Sequence, residues 1–573
     1  MENQLHPLKR FFRLLKPERT DIFYIYLYAI FNGLINLSLP LGIQAIINLI
    51  TGGQMSTSWT VLIIFVMIGI AMTGGLQVFQ LTITERLQQR IFTRASFEFA
   101  YRIPRIKMES IYKYYVPELV NRFFDTLSVQ KGLSKILIDF STATLQIIFG
   151  LILLSFYHPF FIIFGLVLVL IVYLIFRFTG PQGLKTSLNE SKYKYEVAHW
   201  LEEIGRNMGT FKLAGYTDLP LQKTDELVSN YIDARKSHFS VLVKQYINMV
   251  SFKVIVAAGL LIMGSLLVIE QQINLGQFVA AEIVILLIIN SVEKLILSME
   301  TIYDVLTALE KMGHVTDLPL EKINGLKVQE DEDEQGIAVK IKNLTFTYPN
   351  SKKATLKDIN LHVNHGDRMC ISGYNGSGKS TLIQMVAGLY EDFEGSLNYN
   401  NIPIGNLNLE NLRSYIGDSL HEEKLFKGTL YENISLGRPG VNMKEVLNAV
   451  ERTFLSEFVQ NLKEGFNTVI DPEGKNLPDS IITKIILARS IACRSKLLLI
   501  TDHLSKLDPI EGGNIVDFLV DKMNPWTLVV ISNQSEIAAK CDRVVLMKNG
   551  EIIENDHFTN LHIKDMFYQT NIA

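Results

Sequence analysis

The chain has 573 residues, enough for two or more domains, and 48% of them are hydrophobic, a high share for a soluble protein. Lys and Arg number 55 against 58 Asp and Glu, a net charge of −3, which argues against a nucleic-acid partner because neutralising phosphates needs a basic surface. The 3 cysteines, Cys370, Cys493 and Cys541, show no metal-ligand spacing and read as ordinary thiols in a reducing compartment.

In chain order, residues 1–20 are basic and amphipathic: Lys9, Arg10, Arg13, Lys16 and Arg19 interleave with Leu8, Phe11, Phe12, Leu14 and Leu15. This pattern predicts a helix lying on the cytoplasmic membrane surface rather than a cleavable signal peptide. Residues 21–316 follow as a membrane domain. Apolar stretches at 22–50, 59–81, 138–157, 160–178, 249–269 and 275–297 approach or exceed the roughly 20 residues that cross a bilayer. Only His158 and Pro159 separate the third stretch from the fourth, which forces an antiparallel hairpin.

The connections set the orientation. Residues 51–58 and 270–274 contain no Lys or Arg, whereas the link after the second span carries Arg86, Arg90, Arg94, Arg102, Arg105, Lys107, Lys113, Arg122, Lys131 and Lys135. Basic residues concentrate on the cytoplasmic side, so the expectation is a multi-pass inner-membrane protein with both termini cytoplasmic. The two long links, too apolar and periodic for disorder, read as helices that run on into the cytoplasm and turn back near 105–116 and 207–217. Glu282 sits within the last span; a carboxylate there is costly against lipid, so it either lines a polar membrane cavity or is a packed, satisfied acid.

Residues 317–336 form a polar, acidic linker, and a soluble domain occupies 337–573. Within it Gly373, Tyr374, Asn375, Gly376, Ser377, Gly378, Lys379, Ser380 and Thr381 spell a complete G-x-x-x-x-G-K-S phosphate loop. An apolar run from Arg368 to Ser372 enters it as a strand would, and Leu382 onward leaves it as a helix. Glycines let backbone N–H groups curl around phosphate oxygens, and the helix N-terminus adds its positive dipole end. Lys379 is placed for the outer phosphates and the Ser380 hydroxyl for a magnesium ion, so ATP and Mg2+ are the expected ligands.

With six spans followed by this loop, the whole chain resembles an ABC exporter half-transporter, and the resemblance implies an α-helical polytopic membrane domain followed by an α/β P-loop ATPase domain. Tyr348, in Leu344-Thr-Phe-Thr-Tyr348, matches the family's adenine-stacking aromatic. The segment from Leu425 to Gly437 resembles the one that meets the membrane domain. Ser505-Lys-Leu-Asp508 resembles the loop that crosses between paired domains, and residues 542–554 match the closing strands.

The departures from the pattern fall on hydrolysis. His421 stands where the family has the glutamine that touches magnesium and the attacking water. Pro478 and Asp479 stand in the Leu-Ser-Gly-Gly-Gln signature, which reads Leu477-Pro-Asp-Ser-Ile481, so an imide nitrogen and a negative charge replace a hydroxyl and glycine amides. Thr501 replaces the magnesium-side aspartate, and Asp502 is a shortened substitute for the general-base glutamate; a shifted register would make Asp502 the magnesium-side residue and His503 the base. Asn533 replaces the histidine that contacts the γ-phosphate.

The resemblance implies a dimer, either a homodimer or a heterodimer with another half-transporter. A periplasmic adaptor of a secretion system is a further partner it allows. About 20 residues precede the first span, which leaves no room for a fused peptidase domain. Three readings stay open: an exporter with weak hydrolysis, a non-hydrolytic nucleotide-sensing or structural subunit, and a channel-like scaffold for which nucleotide is irrelevant. The intact Tyr348 and phosphate loop weigh against the last.

Overall fold

The computed structural model describes residues 7–52, 57–328, 336–420, 424–493, 495–501, 504 and 506–562. It divides into two compact units, residues 1–104 with 115–318, and residues 105–114 with 319–573. Among the described residues, six helical stretches are long and apolar enough to cross a membrane: Pro7–Thr51, Thr57–Arg105, Val116–Ser155, Phe160–Arg206, Leu219–Ile269 and Leu275–Thr316. Five of the six expected spans fall within them, and the third, 138–157, overruns its stretch by two residues.

The first stretch is three helices, α1 (Pro7–Leu15), α2 (Arg19–Asn36) and α3 (Ser38–Thr51). The break at Leu37 has a local cause: Pro40 has no N–H to donate to the carbonyl four residues back, so the ladder fails there. α1 is not wholly a surface helix, since Arg10 is buried and ion-paired with Glu310 and with Asp317. Then come α4 (Thr57–Arg102), the one-turn α5 (Met108–Ile111), α6 (Asp125–Lys135) and α7 (Ser141–Ser155).

The hairpin at His158-Pro159 leads into α8 (Phe160–Arg206), whose first turn bonds back from Phe161 N to His158 O at 3.0 Å. α9 (Leu219–Ile269) follows a turn that contains the short helix Met208–Leu213. α10 (Leu275–Thr316) opens on a capping box in which the side chains of Asn274 and Gln277 accept from each other's backbone N–H. Side chains such as Phe65, Ile163 and Leu166 point outward, as spanning helices allow because lipid is as apolar as they are. Inside, Gln245 ties α9 to its neighbours, its Nε2 donating to Thr179 Oγ1 at 3.0 Å and Tyr303 Oη at 2.7 Å. Glu282 is half-buried on α10, beside the fully buried Ala281, Val284 and Ile285.

The second unit is α/β. An antiparallel sheet takes the order β2-β1-β4-β5, from β1 (Val339–Phe346), β2 (Leu356–Val363), β4 (Glu394–Tyr399) and β5 (Ile402–Pro403). A six-stranded sheet takes the order β12-β11-β3-β10-β9-β6: β3 is Arg368–Gly373, β6 Ile416–Ser419, β9 Leu497–Ile500, β10 Thr527–Ile531, β11 Arg543–Lys548 and β12 Glu551–Asp556. Strands β7 (Gly428–Thr429) and β8 (Val469–Ile470) pair separately.

β3, β9 and β10 are buried along their whole length and pair in parallel, which suits the apolar Leu497–Ile500 and residues 528–531 and leaves Arg368 as a buried charge at the start of β3. The segment read as an acidic linker is partly built into this unit. Glu321 forms a two-pronged pair with Arg413 at 2.6 and 2.9 Å, and Leu326 bridges to Leu407. Residues 329–335 of that segment lie outside the described residues.

Candidate functional site

The site sits at the carboxyl end of the six-stranded sheet, where open α/β sheets place ligands. β3 enters it between β10 and β11 and turns into α11 (Lys379–Val386) through Gly373 to Gly378. The glycines are there for space and for sign of φ. Gly373 has φ +149°, and a Cβ on it would lie 2.2 Å from Met547 O, while Gly376 and Gly378 have φ +78° and +99°. Gly378 is the residue before the helix, so the N–H groups at the start of α11 face the loop.

Lys379 Nζ donates to the carbonyls of Gly373 at 2.6 Å and Tyr374 at 2.9 Å, which holds its ammonium over the loop. The cleft beside the loop, about 450 Å³, is lined by Thr355, residues 375–381, Thr501, Lys506, Ile531 and Asn533.

Asn533, just past β10, accepts with Oδ1 from Ser372 Oγ at 2.8 Å and Gly373 N at 3.2 Å. A backbone N–H can only donate, so the amide oxygen faces the strand and the Nδ2 hydrogens remain for the cleft. Thr501 directly follows β9 and is buried. Its N and Oγ1 both donate to Ser419 O, at 3.0 and 2.9 Å, so its hydroxyl is committed to the neighbouring strand β6.

Tyr348 is half-buried, outside the cleft lining. Its hydroxyl bonds with Thr381 Oγ1 at 3.0 Å, and its ring stacks on Tyr112 with centroids 5.3 Å apart and planes at 23°. Tyr112 was not among the residues the sequence singled out. The tyrosine-rich turn Tyr112-Lys-Tyr-Tyr115 was the one available signal.

Pro478 caps the N-terminus of α12 (Asp479–Ala492) with no side-chain hydrogen bond, and Asp479 begins that helix, both residues exposed. His421, Asp502 and His503 lie outside the described residues.

A magnesium ion here would take the Ser380 hydroxyl. The rest of the described donor set suits it poorly: Thr501 is uncharged, its O–H given to Ser419 O and only neutral lone pairs left, and the described cleft lining holds two lysines and no carboxylate.

Residues 22–292 match the ABC transporter transmembrane region and residues 356–503 the ABC transporter domain. The chain belongs to the ABC transporter family. It has the architecture of an exporter half-transporter, and its matched ATPase domain is of the kind that binds ATP.

The fold is that of a solved bacterial Atm1-family ABC exporter with ATP bound, at TM-score 0.86 over 97% of this chain and 98% of that one, with 16% identity. The transport/processing ATP-binding protein ComA of Streptococcus pneumoniae R6 is 24% identical over 571 residues, 99% of this chain and 79% of that protein. The alpha-hemolysin translocation ATP-binding protein HlyB of Escherichia coli O157:H7 is 29% identical over 308 residues, 53% of this chain. The chain spans 43% of HlyB's length in that match.

Proposed function

We propose that this ABC transporter chain is one half of a dimeric exporter that couples ATP binding, with slow hydrolysis at best, to movement of a substrate across the inner membrane, both termini being cytoplasmic. One observation carries the reading: within a single cleft the phosphate-holding groups stand together, whereas the neighbouring groups are ill-suited to hydrolysis. Lys379 and the loop amides are in place, while Thr501 has no charge and a committed hydroxyl, and Asn533 offers hydrogen-bond donors but no titrating proton.

Asp502 is the remaining candidate base, one methylene shorter than the family's glutamate. Pro478 and Asp479 extend the argument to the facing site of a dimer. Each ATP in such a dimer lies between one chain's phosphate loop and its partner's signature, so an intact partner would still share two damaged sites with this chain, and a second copy would damage both twice.

The partner is therefore either this chain's own copy or another half-transporter. A polypeptide cargo, with a periplasmic adaptor, is the substrate class favoured by relatives named for alpha-hemolysin translocation and for transport and processing. Glu282, half-buried on α10, is the candidate carboxylate for contact with such a cargo, the alternative being a packed, satisfied acid. The Thr501–Ser419 bond also favours a second reading, a non-hydrolytic nucleotide-sensing or structural subunit of a heteromeric transporter or secretion complex.

Steady-state ATP turnover by the full chain in nanodiscs is expected to lie below about 0.001 per second, far under the roughly 1–1,000 per second usual for enzymes. A residue of turnover that disappears in Asp502→Asn supports the slow exporter with Asp502 as base. Binding with no turnover in either form supports the subunit reading, and turnover of several per second would sink both.

A further inference from the structure

The cleft holds a second cation that the phosphate-loop pattern does not supply. Lys506 lines it alongside Lys379, Thr501 and Asn533, and is itself exposed. Its position is pinned from both sides. Leu504 and Leu507 are buried in the core beneath β9 and β10, and Leu507 N donates to Leu504 O at 3.2 Å. Asp508 then caps α13 (Pro509–Val520), its carboxylate accepting from Ile510 N at 2.9 Å and Glu511 N at 3.4 Å. With the leucines turned inward and the aspartate bound to the helix, the segment presents the Lys506 stem to the cleft. A lysine on four flexible carbons delivers a compact point charge to a phosphate oxygen.

The same cleft is poor in what a divalent cation needs. A bound nucleotide's phosphate oxyanions require countercharge, which a magnesium ion held through carboxylate-supported coordination ordinarily supplies. Here Thr501 donates its hydroxyl to Ser419 O, and among the described residues the lining has no carboxylate to hold such an ion, while two ammonium groups face the same space. A phosphate-loop lysine ordinarily shares the phosphates with magnesium, so Lys506 is the added positive charge that such an ion would meet in this cleft.

We propose that Lys506 is a phosphate-binding residue of this site, and that its ammonium replaces magnesium as the second countercharge, so that the chain holds a metal-free nucleoside triphosphate. This rests on the reading above that the loop binds nucleotide. It extends that reading, because a site that neutralises the phosphates with two lysines holds its ligand without assembling the metal-centred geometry in which the terminal phosphate is attacked.

The test is binding of radiolabelled ATP to the full chain in nanodiscs, by equilibrium dialysis, with magnesium present and with a chelator in its place. Wild type is expected to bind with affinities within about threefold in the two conditions. Lys506→Ala should weaken binding about tenfold in chelator, the size of one charge-assisted contact, and less with magnesium; Lys506→Arg, which keeps the charge, should stay close to wild type. Loss of wild-type binding in chelator overturns the proposal, as does a Lys506→Ala protein that binds like wild type there. ATP bound by no form in either condition overturns the nucleotide site itself, and the role of Lys506 with it.

Discussion

Lys379→Ala is expected to weaken ATP binding by about 10- to 100-fold, the largest loss any single change in the cleft should give. The basis is the energy of a charge-assisted hydrogen bond, about 1.5–3 kcal/mol, where tenfold in affinity corresponds to about 1.4 kcal/mol. Lys379 is the first residue of α11, and its ammonium is held over the loop by the carbonyls of Gly373 and Tyr374. Truncation removes that charge without touching the glycines that shape the loop or the buried Leu382 and Ile383 that seat the helix, so the fold is expected to persist. Equilibrium binding of ATP to wild type and variant, both checked for unchanged thermal unfolding, measures the difference. Equal affinities would mean that the nucleotide, if bound, is held elsewhere.

Arg368→Met should lower the stability of the nucleotide-binding domain by about 3–5 kcal/mol. Arg368 opens β3 and is 1% exposed, one of the largest fully buried side chains in the molecule. Its guanidinium donates to five carbonyls: Gly366 at 2.9 Å, Val520 at 3.3 Å, Asp521 at 2.6 Å, Asn524 at 3.2 Å, and Trp526. These carbonyls belong to the turn that enters β3 and to the connection from α13 to β10. One side chain therefore ties the strand feeding the phosphate loop to the strand that ends at Asn533.

A methionine of comparable length fills the volume, but the carbonyls of Val520, Asn524 and Trp526 lose the guanidinium donor, each costing up to about 1–3 kcal/mol before relaxation, while Gly366 O keeps Lys522 Nζ and Asp521 O keeps Asn524 N. For a domain of this size the loss corresponds to a fall of roughly 10 °C in unfolding temperature. Fluorescence from Trp526, which is buried in the same cluster and donates Nε1–H to Leu519 O at 3.1 Å, reports it directly. An unchanged transition would show that water replaces the guanidinium at no cost.

The parts of this molecule legible from sequence were those with a short-range or compositional signature. Six spans could be read because the bilayer imposes a length of apolar chain, and the hairpin at His158-Pro159 because two residues leave no alternative. The phosphate loop could be read because positive φ at Gly376 and Gly378 admits little but glycine.

What stayed hidden depends on residues far apart in the chain. Arg368 was read only as the head of the apolar run entering the loop, since nothing local announces carbonyls some 150 residues away. Tyr112, in a link between spans, stacks on Tyr348, and residues 105–114 group with the nucleotide-binding unit rather than with the spans that flank them. Thr501 was legible as a lost carboxylate, but not as a hydroxyl committed to Ser419 O. Lys506 was passed over as one more polar residue in a crossing loop; its place at the cleft follows from Leu504, Leu507 and Asp508 being anchored around it.

In the proposed reading this chain retains the means to hold ATP and has lost most of the means to cleave it. The most direct measurement loads the full chain in nanodiscs with labelled ATP, removes free nucleotide, and identifies the bound nucleotide over time. Recovery of the label as ATP for many minutes is the predicted result; conversion to ADP within seconds would contradict it.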